Sequence, residues 1–145
     1  MATFTRDEIE AAYQEYVRIQ KAQDWSAFAD VFTEDATYVE HEMGTFVGRE
    51  AIREWLVPTM APLVGWEYPI QWYAIDESAA RVVCYWLNIL PNPDGRAEPY
   101  EFAGVTILVY AGDGRWSYEE DIYNMKECEA VMADWFAAGG ELGAA

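Results

Sequence analysis

The chain has 145 residues, of which 52% are hydrophobic and 16% aromatic, and its 9 basic and 26 acidic residues give a formal charge of -17. A chain of this length buries about 68–70% of its unfolded surface, so a single domain over residues 1–145 with its own core is expected and disorder is excluded. Phosphate backbones and anionic lipid are repelled by such a charge, which argues against nucleic acid or a membrane surface as partner.

Thr5-Arg6-Asp7-Glu8 has the form of a capping box, and Ile9, Ala12, Tyr13, Tyr16, Val17 and Gln20 follow at spacings of three and four, the pattern of a long amphipathic helix. Asp24 can cap a short second helix through Trp25, Phe28, Val31 and Phe32. Thr33-Glu34-Asp35 then turns the chain into a strand-like stretch, DATYVEHEMG, from Asp35 to Gly44. A third helix follows Gly48 with Ile52, Trp55 and Leu56 on one side, and Pro58 is expected to disrupt it.

From Gly65 the apolar period becomes two. Strands are expected over Trp66–Ile75, Ala79–Leu90, Tyr100–Tyr110 and Arg115–Asn124, joined as a meander by turn-rich segments. A closing helix from about Lys126 to Ala138 carries Val131, Trp135 and Phe136, and GGELGAA reads as a frayed tail. The two middle strands are apolar on both faces, with Val82, Cys84 and Trp86 alternating with Val83, Tyr85 and Leu87. A sheet covered by helices on one side only does not need that, so a homodimer is expected.

The opening segment MATFTRDEIEAAY lacks the apolar core of a signal peptide, and no apolar run approaches the ~20 residues of a membrane helix, so a cytoplasmic protein is expected. Cys84 and Cys128 stand apart and read as reduced thiols. His41 is the only histidine and has no companions of metal-ligand spacing, so it reads as an exposed or rim residue, with no metal and no cofactor expected. Ser26, Ser78 and Ser117 lack the surroundings of a nucleophilic triad, and Gly112-Asp113-Gly114 is a hairpin turn.

Two acids stand out. Glu40 shares a strand face with Ala36 and Tyr38, and is either a solvated strand end or a carboxylate carried into a pocket. Asp121 groups by strict alternation with Ser117 and Glu119, opposite Trp116, Tyr118 and Ile122, a facing that a bulge would reverse.

The segment DWSAFADVFTEDATYVEHEMGTFVGREAIREWL, with its aspartate-led short helix, F-x-x-D-A-T-Y lead-in and G-R-E-A-I-R helix start, resembles the SnoaL-like branch of the nuclear transport factor two-like superfamily. The resemblance implies an α+β fold: a cone-shaped α+β barrel in which a curved antiparallel sheet wraps the N-terminal helices, with a C-terminal helix. In the ketosteroid isomerase members the catalytic base lies four residues beyond the alanine of D-A-T, which lands on Glu40, and the oxyanion tyrosine eight residues before the aspartate of the short helix, which lands on Tyr16. In the cyclases and epoxide hydrolases a last-strand carboxylate does acid/base work, which the D-I-Y-N segment places on Asp121, although Asn124 stands where an acid is common. Where the epoxide hydrolases carry an R-x-D pair this chain has Trp86 and Asn88, which cannot activate water in the same way. The resemblance therefore implies a cofactor-free enzyme that abstracts a proton next to a carbonyl of a small apolar cyclic molecule. Glu40, Tyr16 and Asp121 would be catalytic, and Tyr38, Trp72, Trp86 and Asn88 would shape the pocket. The alternatives are a binding protein for a small hydrophobic ligand and an epoxide hydrolase-like hydrolase.

Overall fold

The computed structural model describes residues 3–143. Helix α1 (Arg6–Ala22) begins where Thr5 Oγ1 accepts from the Glu8 N–H, and its apolar stripe buries Ile9, Ala12, Tyr13 and Tyr16. Asp24 caps α2 (Trp25–Phe28) by accepting from the Ala27 N–H at 3.0 Å, and a single 3₁₀ turn, Ala29–Val31, leads into β1 (Phe32–Glu40). A short β2 (Gly44–Val47), not anticipated from the sequence, folds back on β1. Helix α3 (Arg49–Met60) follows.

Pro58 does not end α3, contrary to expectation. It lies in the last turn, where its missing N–H removes one bond, and the helix carries on because the Thr59 hydroxyl donates to the Trp55 carbonyl at 2.6 Å and the Ala61 N–H to Val57. Strands β3 (Ile70–Asp76), β4 (Arg81–Leu90), β5 (Tyr100–Gly112) and β6 (Arg115–Tyr123) form the meander, and Asn124 caps α4 (Met125–Ala137). The end of the described chain is tied down rather than frayed. The Gly140 N–H bonds the Trp135 carbonyl, Gly143 bonds Pro62, and the Trp135 indole lies so close to Gly140 that a Cβ there would sit 2.2 Å from the ring.

The six strands make one curved, unclosed sheet in the order β2-β1-β6-β5-β4-β3. The sheet is mixed where an antiparallel one was expected: β1 lies parallel to β6, because the chain leaves β1 through β2 and α3 and returns to it only with its last strand. Helices α1, α2 and α3 pack into the concave face around Ile9, Phe28, Ile52, Val82, Leu108 and Trp116, while α4 covers one end of the sheet around Trp135, Trp66 and Phe102. No helix among the described residues is long and apolar enough to cross a membrane. On the convex face Val83, Tyr85, Val105 and Ile107 are only part-buried, and Ile122 is exposed.

Candidate active site

The facing of β6 is decided by a bulge. Val109 pairs with Tyr118 and Tyr110 with Trp116, so Ser117 is an extra residue with no partner in the ladder. Trp116 is fully buried, and the bulge brings Glu119 and Asp121 round to the same concave side. Across the sheet, Glu40, Asp121, Thr106 and Cys84 then stand side by side on four neighbouring strands.

Asp121, Thr106 and Cys84, but not Glu40, line a cavity of about 140 Å³ between the helices and the sheet. Its floor carries Glu119 and Asp121 with Tyr16, Tyr38, Thr106 and Cys84, and its sides include Trp25, Phe28, Leu56, Met60, Tyr68 and Trp86. The Tyr16 hydroxyl donates to Glu119 Oε1 at 2.8 Å, and Glu119 Oε2 is buried with no partner. Asp121 accepts from two hydroxyls, Tyr38 at one oxygen and Thr106 at the other at 2.6 Å. Thr106 in turn accepts from the Trp86 indole N–H at 2.8 Å. With that N–H on its oxygen, the single Thr106 proton is directed at Asp121.

The two carboxyls are held in different states. Burial, together with the neighbouring Asp121 charge, lifts Glu119 well above the usual carboxylate range despite the tyrosine hydroxyls that oppose the rise. Asp121 is pushed up to about 6 by burial; Thr106 and Tyr38 restrain it, and the nearby Glu40 adds to the rise. Burial also raises the Tyr16 and Tyr38 phenols and pushes the Cys84 thiol up to about 11, so Cys84 is not an activated nucleophile. The floor thus carries two acids of unlike proton affinity, Glu119 holding its proton the more strongly and Asp121 ionising the more readily, the arrangement of a donor next to a base.

Tyr16, Tyr38, Trp86, Asn88 and Asp121 thus line one cavity. Two of the expected site residues lie elsewhere. Glu40 is buried at the end of β1, paired in register with Asp121, but it is not on the cavity wall; its Oε1 accepts from the Glu42 N–H at 3.2 Å, and its Oε2 has no partner. Trp72 is 52% exposed and stacks on Tyr85, because a register shift at Gln71 leaves Ile70 on the cavity wall and turns Trp72 outward. His41 lies at the surface with its Nε2 2.6 Å from Glu120. Glu119 and Thr106 were not singled out from the sequence; the signal for Glu119 was its position two residues before Asp121 on one strand.

Gly104 sets the position of Trp86. A Cβ at Gly104 would lie 2.4 Å from Trp86 Cζ2, so the indole rests directly on the glycine backbone. Gly104→Ala is expected to displace the ring, break its bond to Thr106 and destabilise the protein by about 1–3 kcal/mol in thermal or denaturant unfolding. Trp86→Phe, which removes the N–H without that clash, should leave Thr106 free to turn and raise the Asp121 titration midpoint measured by carbon NMR.

Among solved structures, the chain is similar to a protein of ketosteroid isomerase-like fold from Catenulispora acidiphila DSM 44928, in complex with trimethylamine (23% identity, 89% of this chain and 95% of that one, TM-score 0.68). It is also similar to an epoxide hydrolase resembling limonene epoxide hydrolase from M. tuberculosis (17%, 91% and 94%, TM-score 0.70) and to a candidate polyketide cyclase from Xanthomonas campestris pv. campestris (19%, 86% and 96%, TM-score 0.67). At these identities the likeness is one of fold, and the fold hosts several chemistries. No curated protein matches the sequence significantly. The SnoaL-like domain model matches residues 13–119, from the first helix to the buried Glu119, and the chain belongs to the SnoaL-like family.

Proposed function

We propose that the protein is a cofactor-free acid/base enzyme that removes a proton beside the carbonyl of a small, largely apolar cyclic molecule, leading to isomerisation, cyclisation or elimination. The observation that carries this reading is the pair of unlike carboxyls on one cavity floor. Asp121, ionised at neutral pH and raised toward it, has the basicity to take a proton. Glu119 keeps its own proton, so the 2.8 Å contact with Tyr16 can run from the acid to the phenol oxygen and free the Tyr16 hydroxyl to meet a developing enolate. Glu40, which the family resemblance offered as base, acts here through its charge on Asp121. A cavity of roughly 150 Å³ accepts benzene, so this one suits a single ring.

The reading is tested by following the α-protons of cyclohexanone and related single-ring ketones in deuterated water by NMR. Wild-type protein should accelerate exchange, and Asp121→Asn should not. A second reading, a binding protein without turnover, is favoured by one feature: both Asp121 oxygens are already engaged, by Tyr38 and Thr106. Ligand binding without accelerated exchange would select it.

The apolar convex face supports a homodimer, in which a second copy covers Val83, Tyr85, Val105 and Ile107. Light scattering at micromolar concentration should give twice the monomer mass, and Ile107→Lys should return it to one.

A further inference from the structure

The acids of this site have no cation. None of the residues lining the cavity is Lys, Arg or His. The ion pairs among the described residues lie elsewhere, Arg18 with Glu15, Arg53 with Asp30 and Glu50, Arg81 with Asp76, and His41 with Glu120, and none reaches Glu40, Glu119 or Asp121. A buried carboxylate without a counter-charge is costly, and here three acids share one neighbourhood. Glu119 Oε2, on a side chain 98% buried in the cavity floor, is an acceptor with no donor. Six rings line the same cavity, those of Tyr16, Trp25, Phe28, Tyr38, Tyr68 and Trp86, beside aliphatic side chains such as Leu56 and Met60.

We propose that the missing charge is brought by the ligand, a protonated amine on a body no larger than a single ring, with its N–H groups set against Glu119 and Asp121 and its carbon skeleton against the aromatic walls. The ammonium N–H supplies the donor that Glu119 Oε2 lacks, and rings around a desolvated cation are attractive in themselves. Carboxylate and phosphate ligands are repelled by the same floor. Glu119 keeps its proton on the Oε1 side facing Tyr16 and accepts at Oε2, while the countercharge is the ionised Asp121, so affinity rises with pH as Asp121 gives up its proton, until the amine itself deprotonates. This deepens the acid/base reading and rests on its assignment of the cavity as the ligand site: the substrate becomes a cyclic carbonyl compound with a basic nitrogen, whose positive charge makes the neighbouring C–H more acidic.

Benzylamine, benzyl alcohol and benzoate differ at one polar group and serve as probes in calorimetric titrations of the wild-type protein. Benzylamine should bind about tenfold or more tighter than benzyl alcohol at about pH 8, with benzoate weakest, and this advantage should shrink at about pH 5. Titrations in two buffers of different ionisation heat should show a proton released from Asp121 on benzylamine binding at about pH 5 and almost none at about pH 8. Asp121→Asn, which removes the charge, and Glu119→Leu, which removes the Oε2 acceptor, should each weaken benzylamine by roughly tenfold, with a smaller effect on benzyl alcohol. Equal or tighter binding of benzyl alcohol, a charge preference that survives both substitutions together, or no benzylamine binding at millimolar concentration would overturn the proposal. Ketone exchange that persists alongside such a result would leave the proton-transfer reading standing.

Discussion

Asp121→Asn is expected to lower turnover by about 10²–10⁴ while raising the melting temperature at about pH 7–8, so activity and stability move in opposite directions. The amide occupies the same space, with its carbonyl accepting from Thr106, whose proton the Trp86 N–H holds in that direction, and its N–H donating to the Tyr38 oxygen. What is lost is the base. What is gained is relief from an ionised, half-buried group beside the buried Glu40 and Glu119. An Asp121→Asn protein with unchanged turnover on an accepted substrate would remove Asp121 from the chemistry.

The pH dependence follows from the same group. Asp121 gives up its proton near the ordinary value of 3.8 when unfolded but at about 6 when folded, so above pH 4 the unfolded chain binds fewer protons. The stability associated with the protonated acid is complete below about pH 4 and is lost as pH climbs through 6, a loss on the order of 3 kcal/mol. Turnover, which needs the ionised form, should rise across the same window. In Asp121→Asn the fall in stability between about pH 4 and 6 should become shallower, the remaining slope belonging to Glu119, and Asp121→Asn combined with Glu119→Gln should largely flatten it; an unchanged slope in the single variant, read by chemical denaturation, would place the titration elsewhere.

Most of the fold was legible because its signals are local. Thr5, Asp24 and the period-two strands announce caps and strands within a few residues of themselves. The features that were missed depend on partners distant in sequence. The parallel pairing of β1 with β6 joins segments some 80 residues apart; β2, by contrast, pairs locally with β1 and escaped notice because it is only four residues long. The site turns on two one-residue irregularities, at Ser117 and at Gln71, that strict alternation cannot register: one brings Asp121 in and the other sends Trp72 out. Glu40 was picked out by family spacing and by the strand face it shares with Ala36 and Tyr38, and neither says which of two adjacent strands supplies the acid on the cavity wall.

Tyr16→Phe should lower turnover by about 10²–10³ and also destabilise the protein by about 1–3 kcal/mol. The two losses have different origins. The rate falls because a donor to the developing oxyanion is gone. Stability falls because Glu119, 98% buried, loses the hydroxyl on its Oε1 while its Oε2 is already unpartnered. A second substitution separates them. Tyr16→Phe combined with Glu119→Leu removes both polar groups and puts an apolar side chain against the rings of Phe28 and Trp116 that pack on Tyr16, so stability should return to near the wild-type level or above it. Turnover should not return, since neither the phenol nor the acid that primes it remains. A double variant that regains stability and activity together would mean that Tyr16 and Glu119 serve only to satisfy each other, and it would leave Asp121 to act without an oxyanion donor.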